Sequence, residues 1–186
     1  MPRINPVAPP YDTDVAERLE AMMPPGVAPL LLFRTFVLNL PMTRAMGSWG
    51  GYELSKHLSL SMRDREIIID RTCALRGCEY EWGVHIAFFA ERVGLGVEQI
   101  TSLTHGSPTD SCWDGERDRV LIQAVDSLCA TATIDDALWE HISSLLTEAE
   151  ILDLLMLTGW YHAISFTANA LQLDLEQGVP RFSDAR

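Results

Sequence analysis

Between Arg63 and Gly94 the chain runs RDREIIIDRTCALRGCEYEWGVHIAFFAERVG, and this stretch constrains the fold more than any other. It reads as two helices broken at Gly77, because glycine takes the left-handed conformation that ends one helix and turns the chain into the next. The second helix begins near Cys78. From there Cys78, Glu81 with Trp82, and His85 follow at i, i+3/i+4 and i+7, which sets them along one helical face. Glu81 and His85 are direct neighbours on that face. Cys78 and His85 stand two turns apart, roughly 10 Å at the helical rise, too far for a direct sulfur to imidazole bond. Glu81, a water or a substrate must bridge them. A tight break at Gly77 lets the two helices lie side by side and brings Glu66 within reach, so Glu66, Cys78, Glu81 and His85 converge.

At 186 residues the chain amounts to about one domain, large enough for a hydrophobic core without disulfide or metal staples. The four cysteines, Cys73, Cys78, Cys112 and Cys129, contain no Cys-x-x-Cys and no paired metal-ligand spacing, and no apolar signal segment opens the chain. A reducing, cytoplasmic setting is the expectation. A net charge of −12 argues against nucleic acid and anionic membrane as partners, both of which reward clustered Lys and Arg. A small-molecule substrate is the partner that remains. Lys56 is the only lysine, and nothing near it recommends Schiff-base chemistry. Ile151 to Leu171 is apolar, but Asp153, His162 and Asn169 interrupt it, so it reads as a buried central helix and not a membrane span.

The remaining punctuation divides the chain into an extended, proline-rich N-terminal arm (1–11), an all-α body (12–173) and a polar C-terminal tail (174–186). Period-two alternation never persists, so the fold class is all-α with seven to nine helices. Ser61 with Asp64, and Thr147 with Glu150, form capping boxes that fix where two of these helices start. The polar loop from His105 to Asp114 is the candidate lid or subunit contact. RDRVLIQ at Arg117 echoes RDREIIID at Arg63 fifty-four residues earlier, the mark of a degenerate internal repeat of a helical hairpin. In the second copy Val120 stands where the first has Glu66, so the scaffold does not itself demand the acid.

An acidic residue, twelve positions to a cysteine and seven more to a histidine resembles the carboxymuconolactone decarboxylase and alkylhydroperoxidase D superfamily. Its signature Glu, Cys and His fall here on Glu66, Cys78 and His85, and CEYEWGVHIAFFAERVGL is similar to the decarboxylase-like branch. The resemblance covers about Leu30 to Gly106 well and the following helices to Leu171 more loosely. The peroxidase branch has a second cysteine three residues after the first, where this chain has Glu81, so no Cys-x-x-Cys disulfide forms there. The resemblance implies a single-domain helical bundle of the alkylhydroperoxidase D-like type, assembled as a homo-oligomer, trimer or hexamer. It further implies a cofactor-free lyase that decarboxylates or isomerises a small carboxylate, lactone or enolisable substrate.

In that reading His85 moves the proton, Glu66 orients it, Glu81 sets the histidine's charge state and Cys78 lines or polarises the pocket. Trp82, Trp160 and Tyr161 are the aromatic candidates for the pocket wall. The alternative is a one-cysteine thiol peroxidase in which Cys78 becomes a sulfenic acid resolved by an external thiol. Cys73 could replace the missing second cysteine only if the break at Gly77 turns its sulfur toward Cys78, since an unbroken helix points the two apart. A third reading is a non-catalytic helical subunit. Glu66, Glu81, His85 and His162 are a possible metal set, but only one close ligand pair is present and no metal is expected.

Overall fold

Ser61 shows how closely local chemistry sets the architecture. Its hydroxyl accepts the Asp64 amide, and the Asp64 carboxylate accepts the Ser61 amide, each at 3.1 Å, closing a capping box at the head of the helix that carries Glu66. The computed structural model describes residues 1–186 and contains nine α-helices and no strand. They are α1 (Thr13–Ala21), α2 (Leu31–Phe36), α3 (Leu40–Glu53), α4 (Met62–Leu75), α5 (Glu79–Phe89), α6 (Val97–His105), α7 (Glu116–Thr131), α8 (Asp136–Leu145) and α9 (Glu148–Leu171). Thr147 and Glu150 cap α9 as the sequence predicts.

The centre of the bundle is α4 and not the apolar α9. Every residue of α4 from Asp64 to Cys73 is buried, and the helix packs against α5, α6, α7 and α9. Its sequence conceals this because its charged residues, all but Asp70, are paired rather than solvated. Arg63 meets Asp118 at 2.9 Å, Arg117 meets Asp64 at 2.9 Å, and Arg71 grips Asp126 through two bonds of 2.6 and 3.0 Å. Partner numbers rise together along both helices, so α4 and α7 run parallel, and the repeated Arg-Asp-Arg triplets pair reciprocally. The charge-bearing helix is inside because its duplicate supplies the counter-ions. In α9, by contrast, Leu152, Met156 and Phe166 form an exposed stripe along the outer face.

Both chain ends are built into the body. The Arg3 amide donates to the Leu171 carbonyl at 2.8 Å, and the Val7 amide to the Arg34 carbonyl at 3.1 Å, which lays the N-terminal arm along its own chain. The C-terminal tail folds back over the start of α5. Phe182 packs on Trp82 with ring centroids 5.1 Å apart, its amide donates to Glu79, and the Glu176 carboxylate accepts from the Tyr80 hydroxyl. The loop after α6 is pinned down as well: Trp113 is fully buried and donates to Ser102, whose hydroxyl in turn meets Asp110.

Candidate active site

Three helices meet to build the site. From α4 come Arg65, Glu66 and Asp70 on one inward face; α5 contributes Glu81 and His85, with Cys78 at its N-cap; α9 contributes Tyr161 and Ser165. The connection from α4 to α5 is what aligns them. Gly77 adopts φ +61°, its amide bonds to the Ala74 carbonyl at 3.0 Å, and the Cys78 amide bonds back to the Cys73 carbonyl at 2.8 Å. These two bonds form a Schellman motif, which reverses the chain within a single residue.

His85 is the hub. Its Nδ1 lies 2.7 Å from Glu66 Oε2, its Nε2 lies 2.9 Å from the Tyr161 hydroxyl, and Glu81 Oε2 stands 3.7 Å from the same Nε2. Arg65 closes the other side of Glu66, with Nε 2.7 Å from Oε1. Glu66 and Cys78 are wholly buried, and His85, Glu81 and Tyr161 nearly so, which strengthens every electrostatic interaction among them.

Burial alone would strip His85 of its proton. The Glu66 carboxylate, with Glu81 and Asp70 behind it, outweighs that and raises the imidazole's basicity above the ordinary value. Burial likewise opposes charge on Glu66, but His85 and then Arg65 hold its carboxyl below the usual range. The remaining acids go the other way. Burial raises Glu81, with Glu176 adding to the effect, and burial together with the Glu66 charge pushes Asp70 far up. The result is an imidazolium–carboxylate pair flanked by two carboxyl groups inclined to keep their protons. Tyr161 is also driven well up by burial and by Glu81, so it stays a neutral phenol. As imidazolium, His85 donates from Nδ1 to Glu66 and from Nε2 to the Tyr161 oxygen, which leaves the phenol proton free to point at a bound group.

The Cys78 thiol is shifted down. Its largest support is the neighbouring Cys73 thiol; burial and the Glu81 charge oppose it, and the Glu81 amide favours the thiolate. Ser165 Oγ is buried and makes no hydrogen bond.

The sequence-predicted set therefore divides. Glu66, Glu81 and His85 come together with Tyr161, and Cys78 stands at the head of α5. Trp160 does not line this cluster: it is one residue, about 100° of helix, from Tyr161, and it packs on Trp49 at 4.9 Å and against Gly50. Trp82 is buried against Phe182 of the tail, not toward His85. His162 pairs with Cys129 at 3.1 Å, so it joins no metal set with Glu66 and His85. No three His, Cys, Asp or Glu side chains are grouped to hold a metal ion. Sequence reasoning passed over Arg65 and Asp70. The latter had a signal, since it lies four residues after Glu66 on the same helical face.

Residues 41–124 match the sequence model of the carboxymuconolactone decarboxylase family. The match spans 84 of the chain's 186 residues. An uncharacterized peroxidase-related protein from Silicibacter sp. has the same fold at a TM-score of 0.79 and 19% identity, with 96% of each chain covered. Another from Ralstonia eutropha, described as having an alkylhydroperoxidase AhpD core, aligns at 0.78 and 16% identity over 94% of this chain and 93% of its own. A protein of unknown function from Agrobacterium tumefaciens aligns at 0.68 and 17% identity, covering 76% of this chain and 94% of its own. No curated protein matches the sequence. The matched segment holds Glu66, Asp70, Cys78, Glu81 and His85, while Tyr161 reaches the site from outside it. No helix is long and apolar enough to cross a membrane.

Proposed function

We propose that the protein is a cofactor-free acid–base enzyme that decarboxylates or isomerises a small carboxylate, lactone or enolisable substrate. The observation that carries this reading is His85, clamped between Glu66 at 2.7 Å and Tyr161 at 2.9 Å in a buried cluster whose carboxylates raise its basicity. Such a group can deliver a proton to a carbanion or enolate as it forms and recover one from Glu81, which burial keeps inclined to protonation. Arg65 and Glu66 fix the ring's orientation, and the Tyr161 phenol is placed to donate to a developing oxyanion. The exposed Leu152, Met156 and Phe166 stripe on α9 suits burial against a second copy in a homo-oligomer.

The test is turnover of a panel of small lactone and β-keto carboxylates. His85→Ala should reduce kcat by roughly 10²–10⁴-fold, whereas Cys78→Ser should retain substantial turnover. Loss of all activity in Cys78→Ser with little change in His85→Ala would reject proton transfer in favour of thiol chemistry. The lowered Cys78 thiol supports that second reading, a thiol peroxidase.

A further inference from the structure

Away from the His85 cluster, α7 and α9 bring a second thiol and imidazole together. Cys129 lies in the last turn of α7, and its Sγ stands 3.1 Å from Nε2 of His162 on α9. Both residues are half-buried and keep some surface exposure, whereas Cys73 and Cys78 have none. The pair rests neutral. Burial, and then the Asp126 charge, hold the Cys129 thiol above its ordinary range against Arg76 and Arg71; burial, and then the Arg76 charge, hold His162 below its own. The carbonyls that end α7 add to the first effect, since a helix C-terminus disfavours an anion. A neutral imidazole with its proton on Nδ1 offers Nε2 as an acceptor, and the Cys129 thiol donates to it. A thiol with a base at hydrogen-bond distance can shed its proton as the sulfur attacks.

We propose that Cys129 and His162 form a covalent modification site, which takes low-molecular-weight disulfides bearing carboxylates by thiol–disulfide exchange. This lies beyond the acid–base reading and does not depend on it, since none of Glu66, Glu81, His85 or Tyr161 takes part. Arg76 sets the preference for a carboxylate. It is the C-cap of α4, its charge acts on both members of the pair, and its Nε is buried without a partner. Asp126, the nearest acid to the sulfur, is already gripped by Arg71 through bonds of 2.6 and 3.0 Å. An incoming carboxylate therefore meets a cation whose charge no neighbouring acid has taken up.

Cys129 Sγ attacks one sulfur of the incoming disulfide. A new S–S bond forms as the old one breaks, and the departing sulfur takes the electron pair of the broken bond. The thiol proton passes to His162 Nε2 and from there to the departing thiolate, which leaves as a free thiol. One disulfide is consumed and one is made: Cys129 is oxidised, the departing sulfur is reduced, and no other oxidant is required. The adduct then stays, because no second protein thiol can displace it. Cys73 and Cys78 are fully buried, and Cys112 precedes the opposite end of α7, a 16-residue helix roughly 24 Å long. An external thiol reverses the step by the same exchange.

The experiment uses the full-length protein, reduced with dithiothreitol, freed of it and incubated at neutral pH with excess oxidised glutathione. The expected result is a single glutathione adduct, placed on Cys129 by peptide mass analysis and released by dithiothreitol. Cys112 is the internal control: it is also half-buried, but its Sγ meets only the Glu98 carbonyl at 3.7 Å. The adduct should form at least ~10-fold faster at Cys129 than at Cys112, and His162→Gln should remove that advantage. In His162→Ala, added imidazole should restore part of the rate, a rescue that a packing role would not give. Arg76→Gln should slow oxidised glutathione several-fold while sparing the cationic disulfide cystamine. Reaction first at Cys112, a Cys129 rate unaltered in both His162 variants, or an adduct formed only after unfolding would each overturn the inference. Equal slowing of both disulfides in Arg76→Gln would overturn the carboxylate preference.

Discussion

His85 carries a proton that depends on its neighbours, so its titration reports the state of the whole cluster. A histidine whose basicity is raised in the folded state adds stability below its ordinary value of 6.5, and that stability is lost as pH rises through the folded value. Glu66 has the opposite sign: its lowered carboxyl adds stability above the ordinary 4.5, lost as pH falls. Asp70 and Glu81, both raised, penalise the fold as pH climbs above their ordinary range. All but Glu66 favour mild acid, so thermal unfolding scans should show the highest Tm between about pH 5 and 6.5, with a decline through neutrality. Glu66→Gln should move the His85 titration, followed by imidazole NMR signals, to lower pH and cost about 3–5 kcal/mol by leaving Arg65 and His85 without their shared anion. An unshifted imidazole would show that Glu66 does not set its charge. At this scale much was legible: i+3/i+4 and i+7 spacing selects Glu81 and His85, and the helix break selects Glu66. Arg65 was not, because an Arg beside a Glu looks like a solvated charge until its helix is known to be buried; the i+4 spacing that ties Asp70 to Glu66 gains weight only once that burial is known.

Among the elements, the tail and α5 test how the site is enclosed. A Cβ on Gly83 would stand 2.6 Å from the Pro180 carbonyl oxygen, a backbone atom that cannot swing aside. Gly83→Ala should therefore lift the 174–186 segment from α5 while the helix itself gains propensity. Limited proteolysis should cut the tail several-fold faster in this variant, with helical circular dichroism unchanged; equal cleavage would mean that the strap tolerates the methyl group. A polar tail with Pro180 and Gly178 reads as a loose end, since its anchors are long-range and singular: Glu176 to Tyr80, Phe182 to Trp82. Helix boundaries were the most legible level, because capping boxes, prolines and Gly77 act locally. Which helix is central was not legible. Hydropathy favours α9, whereas burial of α4 depends on ion pairs with partners fifty or more residues away.

For the molecule as a whole, the exposed stripe on α9 bears on assembly. Replacing Met156 and Phe166 by Asp should lower the mass measured by light scattering toward that of one chain without reducing the melting cooperativity of the monomer. An unchanged mass would place any subunit contact elsewhere. The reciprocal Arg-Asp-Arg pairing between α4 and α7 reaches further than packing. Asp64 is buried beneath a half-buried Arg117, and Arg63 and Asp118 pair half-buried, so a change in either triplet leaves a counter-charge unpaired in the other half of the chain. A charge change in one triplet therefore calls for a matching change in the other, like the facing teeth of a zip. Glu66 pairs with Arg65 and His85 and with nothing on α7, so Val120, at the matching place in the second triplet's helix, has no charge to answer.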